Sequence, residues 1–276
     1  MIKSPFSFFC RNGEVLPMEE ATVSINNIEY SYGFGVYETF RVVKGVPLFK
    51  KEHIERLFIS ASTIDLEHGF DEDNLSKWIE ALLQKIDNET YNIKILLIGA
   101  KTPQDASLFV FPLNPLFVDK KLYKQGIETI TVEFERPAPT AKTLNMLPSY
   151  LAQKKAMRAN VFEALSVHPD GCVYEGTKSN FFVVKDGTII TPPSDQVLEG
   201  VTKLNVLKIA AQSGITVIEE PIKLDELSNY DGAFLTSSSM KILPISKIND
   251  LEFSKIPEVV KKLISKYKEF IETYTS

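Results

Sequence analysis

Cysteine and histidine are scarce in this 276-residue chain, with two of the first and three of the second. Cys10 and Cys172 lack metal-ligand spacing, so a disulfide-built scaffold is excluded, no metal site is indicated, and two free thiols in a reducing compartment are expected. His53, His68 and His168 fall in separate segments, none set beside a Ser or Cys as in a nucleophile elbow, which argues against a histidine-based hydrolase. No run approaches the roughly 18 apolar residues of a bilayer span. The start, Met1 to Cys10, has too short an apolar stretch for a signal peptide and no small-residue cleavage site, so a cytoplasmic protein is expected. Positive charge is in deficit: 31 Lys plus Arg against 36 Asp plus Glu give a net −5, which argues against a general nucleic-acid binder but leaves room for a local basic patch inside a cleft.

What is present is an ordinary globular composition, 44% hydrophobic and 24% charged, long enough for two domains or one large one. Ala21–Ile25 and Val36–Val43 alternate like strands, and Lys44-Gly-Val-Pro47 supplies a turn. Ile54, Leu57, Phe58, Ala61 and Ile64 recur at helical spacing from a start near Lys50, as do Leu75, Trp78, Ile79, Leu82 and Ile86. Ile93–Ile98 and Ser107–Pro112 return to strands. After a connection at Pro112-Leu-Asn-Pro115, a β-rich stretch contains Ile127–Val132, a helix over Leu151–Ala159, and a pairing of Phe162–Val167 with Cys172–Tyr174 across His168-Pro-Asp-Gly171. A hairpin turns at Lys185-Asp-Gly187. Helical spacing over Thr202–Ser213 stops at Gly214, and a last helix follows Pro257. The class is α+β, with a small N-terminal domain over 1–115, a linker over 116–124 and a larger β-rich α/β domain over 125–276.

Two acid–base words stand out. Lys142 lies in Thr140-Ala-Lys-Thr-Leu-Asn-Met-Leu-Pro148 and Glu175 in Val173-Tyr-Glu-Gly-Thr-Lys-Ser-Asn-Phe-Phe182. A lysine amine can form a Schiff base with the aldehyde of pyridoxal phosphate, and a buried carboxylate can hold the pyridine nitrogen protonated. Each residue alone also reads as a solvated surface charge. Phosphate needs an anion site, which a helix N-terminus offers through unpaired N–H groups and a positive dipole end. Leu198-Glu-Gly-Val-Thr-Lys203 fits, and Leu235-Thr-Ser-Ser-Ser239 adds hydroxyls; a plain helix cap and a Ser-rich loop are the ordinary alternatives.

Taken in order with Tyr32-Gly-Phe-Gly-Val-Tyr-Glu-Thr-Phe-Arg41, Glu52-His-Ile-Glu-Arg-Leu57 and Glu163-Ala-Leu165, these words make the chain resemble the fold-type IV pyridoxal-phosphate enzymes from about Thr22 to Pro244. That family contains branched-chain aminotransferases, D-amino-acid aminotransferases and aminodeoxychorismate lyases. The resemblance implies that Lys142 is the Schiff-base lysine and proton shuttle and that Glu175 pairs with the pyridinium. It implies that Arg56 binds the phosphate, with Val201, Thr202, Ser237 and Ser238 completing the cup. It also implies a two-domain fold, pyridoxal 5′-phosphate as cofactor, a homodimer, and an amino acid and a 2-oxo acid as substrates.

The chain departs from the family at several points. Pro103-Gln-Asp-Ala106 stands where D-amino-acid enzymes carry Arg-x-His, and Thr143-Leu-Asn-Met-Leu147 lacks the Gly-Gly-Asn-Tyr of branched-chain enzymes. Phe34 replaces a common Asp, and Ile28-Glu29 a usual Arg-Gly. Tyr37 is expected at the substrate, and Lys94, Lys178 and Lys241 are candidate carboxylate ligands; an exposed lysine is the alternative for each. The expected activity is a transaminase, leaning to D-amino acids with 2-oxoglutarate or pyruvate as acceptor. A branched-chain L-amino-acid transaminase, a lyase and a non-catalytic carrier are the alternatives.

Overall fold

The computed structural model describes residues 5–24 and 26–276, arranged in two compact units. The first runs to Leu116 and takes in Ala141–Asn145; the second holds Phe117–Thr140 and Met146–Tyr274. No helix among the described residues is long and apolar enough to cross a membrane.

In the first unit, β1 (Phe8–Arg11), β2 (Glu14–Pro17), α1 (Ile28–Ser31), β3 (Gly35–Val43), β4 (Val46–Pro47), α2 (Lys50–Thr63), α3 (Glu72–Leu83), β5 (Thr90–Ile98) and β6 (Ser107–Leu113) follow in order. The strands form one antiparallel sheet in the order β2-β1-β6-β5-β3-β4. Its inward residues Val36, Phe40, Val42, Ile93, Ile95 and Leu97 meet Ile54, Leu57 and Ala61 of α2 and Leu75, Ile79 and Leu82 of α3. Alternation thus marks β3 and β5, and the i, i+3, i+4 rows mark the helices.

Alternation misleads at Ala21–Ile25. Ala21–Ser24 are exposed and outside any strand, and Ile25 lies outside the described residues. Strand-like spacing without a neighbouring edge forms no ladder. Conversely, β1 and β2 pair around Asn12-Gly13, both at positive φ, a hairpin signal that alternation alone did not reveal.

The second unit contains α4 (Leu122–Gln125), β7 (Ile127–Glu133), α5 (Leu147–Arg158), β8 (Glu163–Val167), β9 (Val173–Gly176), β10 (Asn180–Lys185), β11 (Thr188–Thr191), α6 (Val201–Gln212), β12 (Val217–Glu219), β13 (Gly232–Ser237), β14 (Lys241–Ile248), β15 (Leu251–Glu252) and α7 (Glu258–Tyr274). Its sheet runs β12-β11-β10-β13-β14-β7-β8-β9, and Asn180 pairs with Glu175, so β9 returns to β10 and closes a six-strand ring. Phe181, Val183, Leu235, Leu243, Ile245, Leu165 and Val173 fill its core. The hairpins across His168–Gly171 and Lys185–Gly187 form as the sequence predicts, and α6 ends at Ser213 with Gly214 at φ +66°.

Candidate active-site residues

Lys142 is held by its backbone. Its N–H donates to the Oγ of Ser60, 3.1 Å away on the buried face of α2, and its carbonyl accepts from the N–H of Tyr37 at 2.9 Å. Thr143 bridges to Val36, and the Leu144 N–H donates to the Gly35 carbonyl at 2.8 Å. The segment is therefore an added strand on the first residues of β3. Gly35 permits the approach, since a Cβ there would stand 2.7 Å from Leu144 Cδ1 and from the Leu97 carbonyl oxygen. The backbone being fixed, the half-buried Lys142 side chain places its Nζ 4.7 Å from the Tyr37 ring centroid. Lys94 of β5 brings a second ammonium to the same ring, at 5.1 Å. Three of the residues singled out in the sequence thus meet around one phenol.

Arg56 is not a solvated charge. It lies on the α2 face that packs on β3 and grips Glu38 in a two-pronged pair, Nε to Oε1 at 2.7 Å and one terminal nitrogen to Oε2 at 2.8 Å. His53, one turn earlier, places Nδ1 2.7 Å from Glu38 Oε2. Glu38 and His53 are buried almost completely. Burial is the largest influence and raises the Glu38 carboxyl, but Arg56 and His53 together outweigh it and hold the group well below the usual carboxylate range. Burial pushes His53 down more than Glu38 pushes it up, so the imidazole is neutral at pH 7 and donates Nδ1–H to the carboxylate.

In the second unit, Glu175 is buried on β9. Its Oε1 accepts from Arg136 Nε at 2.5 Å, and Arg136 also donates to the Pro139 carbonyl. The Glu175 backbone N–H donates to Ser166 Oγ and its carbonyl accepts from the same hydroxyl, both at 3.1 Å. Val201 and Thr202 open α6, capped by Gly200. A Cβ on Gly200 would lie 2.0 Å from Asn180 Oδ1, so glycine lets this helix end sit against β10 with Asn180 in place. Asn180 in turn donates to the Leu198 carbonyl at 2.7 Å and pairs across the sheet with Thr236. The Thr236 hydroxyl is buried and makes no hydrogen bond, an orphan donor on the same patch.

Other residues named from the sequence sit differently. The Ser237 hydroxyl is used by its own turn, accepting from the Met240 N–H at 3.2 Å and lying 3.3 Å from Ser239 Oγ. Ser238 is half-buried in that turn. The Thr202 hydroxyl is in hydrogen-bonding contact with the phenol of Tyr267, whose pKa burial pushes up to about 12 against that contact; its backbone N–H, not its hydroxyl, is the free end of the helix. Lys178 is exposed in the β9–β10 turn, and Lys241 is exposed at the start of β14 with φ +61°.

The class IV aminotransferase family model matches residues 35–248, more than half of the chain. The chain belongs to the class IV aminotransferases. Pyridoxal 5′-phosphate is their cofactor, as the resemblance implied. The chain is 33% identical to a putative branched-chain-amino-acid aminotransferase of Methanocaldococcus jannaschii, over 94% of each chain. It is 30% identical to the D-alanine aminotransferase of Bacillus licheniformis, over 86% of this chain and 87% of that one. In structure it resembles the branched-chain aminotransferase of the thermophilic archaeon Thermoproteus uzoniensis crystallised with norvaline, with a TM-score of 0.85, 26% identity, and cover of 95% of this chain and 93% of that chain.

Reading the sequence of this aminotransferase did not single out Arg136, and it carried Glu38, Asn180 and Thr236 only inside their words. Glu38 had a signal: it occupies the inward register of β3 between Val36 and Phe40, where an acid must find a buried cation. Arg136 had none, because its partner Glu175 comes from a distant segment.

Proposed function

We propose that this aminotransferase moves the amino group of a D-amino acid to 2-oxoglutarate or pyruvate, with Lys142 as its catalytic residue. Pyridoxal phosphate, when bound, supplies an aldehyde for the amine and a ring that accepts electrons. The residues present fit it. Gly200 lets the start of α6 pack against Asn180, and the orphan Thr236 hydroxyl lies on the strand paired with Asn180, so the Val201 and Thr202 N–H groups and Thr236 would hold the phosphate, with Ser237 and Ser238 in the adjoining turn; the proposed phosphate role of Arg56 rests on the resemblance. Glu175, oriented by Arg136, would hold a proton on the pyridine nitrogen. Lys142 carries the proton between the substrate Cα and the cofactor C4′, and its fixed backbone limits the arc its amine sweeps. A domain division at 1–115, 116–124 and 125–276 belongs to this reading; by packing, Ala141–Asn145, with Lys142, falls in the first compact unit and residues 117–124 in the second.

The observation that carries the substrate class is the pair of ammonium groups on Tyr37. Lys94 is half-buried and shares that ring with Lys142, whereas Lys178 and Lys241 are exposed. Lys94 therefore answers the second carboxylate of an acidic substrate, the task that Arg-x-His performs elsewhere, and Tyr37 orients it. The relative from Bacillus licheniformis supports the D-hand. A second reading, branched-chain L-amino acids, is favoured by the relative from Methanocaldococcus jannaschii. Formation of the pyridoxamine form with both enantiomers of Ala, Glu, Leu and Val separates them: reaction with D-Ala and D-Glu supports the first, and reaction confined to L-Leu and L-Val overturns it. The enzyme acts as a homodimer, a reading supported by the exposed Leu147, Tyr150 and Leu151 along α5.

A further inference from the structure

A second glutamate lies buried behind Glu175 and has no role in the chemistry above. Glu163, the first residue of β8, points its carboxyl into the β9–β10 turn, where the barrel ring closes. Its Oε1 lies 2.5 Å from Thr177 Oγ1, and its Oε2 lies 3.3 Å from Ser179 Oγ. The Thr177 hydroxyl also lies 2.9 Å from Gln153 Oε1, while Gln153 Nε2 donates to the Phe162 carbonyl at 3.3 Å. That second bond fixes the Gln153 amide with its oxygen towards Thr177. The Thr177 hydroxyl then faces two oxygens with one proton. If it serves Gln153, the short contact to Glu163 needs a proton from the glutamate.

We propose that Glu163 is carried as a neutral acid, a positioning residue whose carboxyl O–H donates to Thr177 Oγ1, which donates in turn to Gln153 Oε1. The chain of protons ties α5, β8 and the β9–β10 turn together, and this turn spaces Glu175 from Asn180. No Lys, Arg or His is paired with Glu163 among the described residues, the Thr177 and Ala164 N–H groups reach it only at 3.3 and 3.2 Å, and burial pushes its carboxyl up against these contacts. A neutral Glu163 adds no negative charge to the patch that holds Glu175. The protonation follows from the hydrogen-bond geometry alone; its consequence for Glu175 rests on the function proposed above.

The test reads the proton directly. Infrared difference spectra of the holoenzyme and its Glu163→Gln variant at neutral pH should show the carbonyl stretch of a protonated carboxyl in the wild type only. Thr177→Val, which removes the acceptor, should shift that band and serves if the Gln variant does not fold. Because the folded pKa is raised, the wild-type contribution is complete below the ordinary glutamate range and is lost as pH rises through the folded value. The wild-type melting temperature should therefore fall relative to Glu163→Gln as pH rises above the ordinary glutamate range, with the Gln variant keeping its cofactor. Absence of the band, or parallel pH profiles with the Gln variant less stable throughout, would overturn the proposal. Neither readout depends on whether Glu175 meets the cofactor, so this failure is distinct from failure of the proposed function.

Discussion

Arg136→Met tests what the buried ion pair does for Glu175. The two side chains are 9% and 8% exposed and 2.5 Å apart, so the substitution leaves a carboxylate in a poorly solvated place without its cation. Breaking a buried pair from one side costs about 3–5 kcal/mol, most of it the penalty on the charge left behind. Glu175→Gln alone leaves Arg136 in the converse position. The double variant leaves neither charge, and should lose much less than the sum of the singles. The measurement is urea unfolding of the cofactor-free protein, so that no pyridinium stands in for the missing guanidinium. With cofactor added, Arg136→Met should recover part of its loss, because the pyridinium then pairs with Glu175. A cost below about 1 kcal/mol for Arg136→Met, or strictly additive losses in the double variant, would refute the reasoning.

Other outcomes follow from the same geometry. Lys142→Ala should abolish turnover and the borohydride-reducible link between cofactor and protein, which mass spectrometry of the reduced protein reads. Lys94→Ala should raise the KM for glutamate over that for alanine by about 1–3 kcal/mol, while Lys178→Ala changes both equally or not at all. Gly200→Ala has an allowed backbone, so its cost, about 1–3 kcal/mol, comes from the Cβ against Asn180; cofactor retention on dialysis should fall, and Asn180→Ala should relieve it. Glu38, with a depressed folded pKa, contributes stability above the ordinary glutamate range that is lost as pH falls through the folded value. Acid unfolding of the wild type should therefore show a loss on descending from about pH 5 that Glu38→Gln lacks.

The sequence by itself determined most of the elements and named the candidate reacting groups. Helical rows at Ile54–Ala61 and Leu75–Leu82, alternation in β3 and β5, and turns at His168–Gly171 and Lys185–Gly187 are local patterns, and local patterns are written in neighbouring residues. Lys142, Glu175 and the Gly200 cap stood out as candidates only because their short words occur together and in order, since each alone reads as a surface charge or a plain cap. Tertiary structure alone decided the partners. Lys142 takes its backbone contacts from Ser60 and Tyr37, Glu175 its cation from Arg136, and Arg56 its carboxylate from Glu38. It also sorted the lysines, placing Lys94 on the Tyr37 ring and leaving Lys178 and Lys241 exposed, and it left the Thr236 hydroxyl buried without a hydrogen bond. Charge and burial are properties of what folds against a residue, and strand pairing and helix packing bring those neighbours from segments that no local period connects.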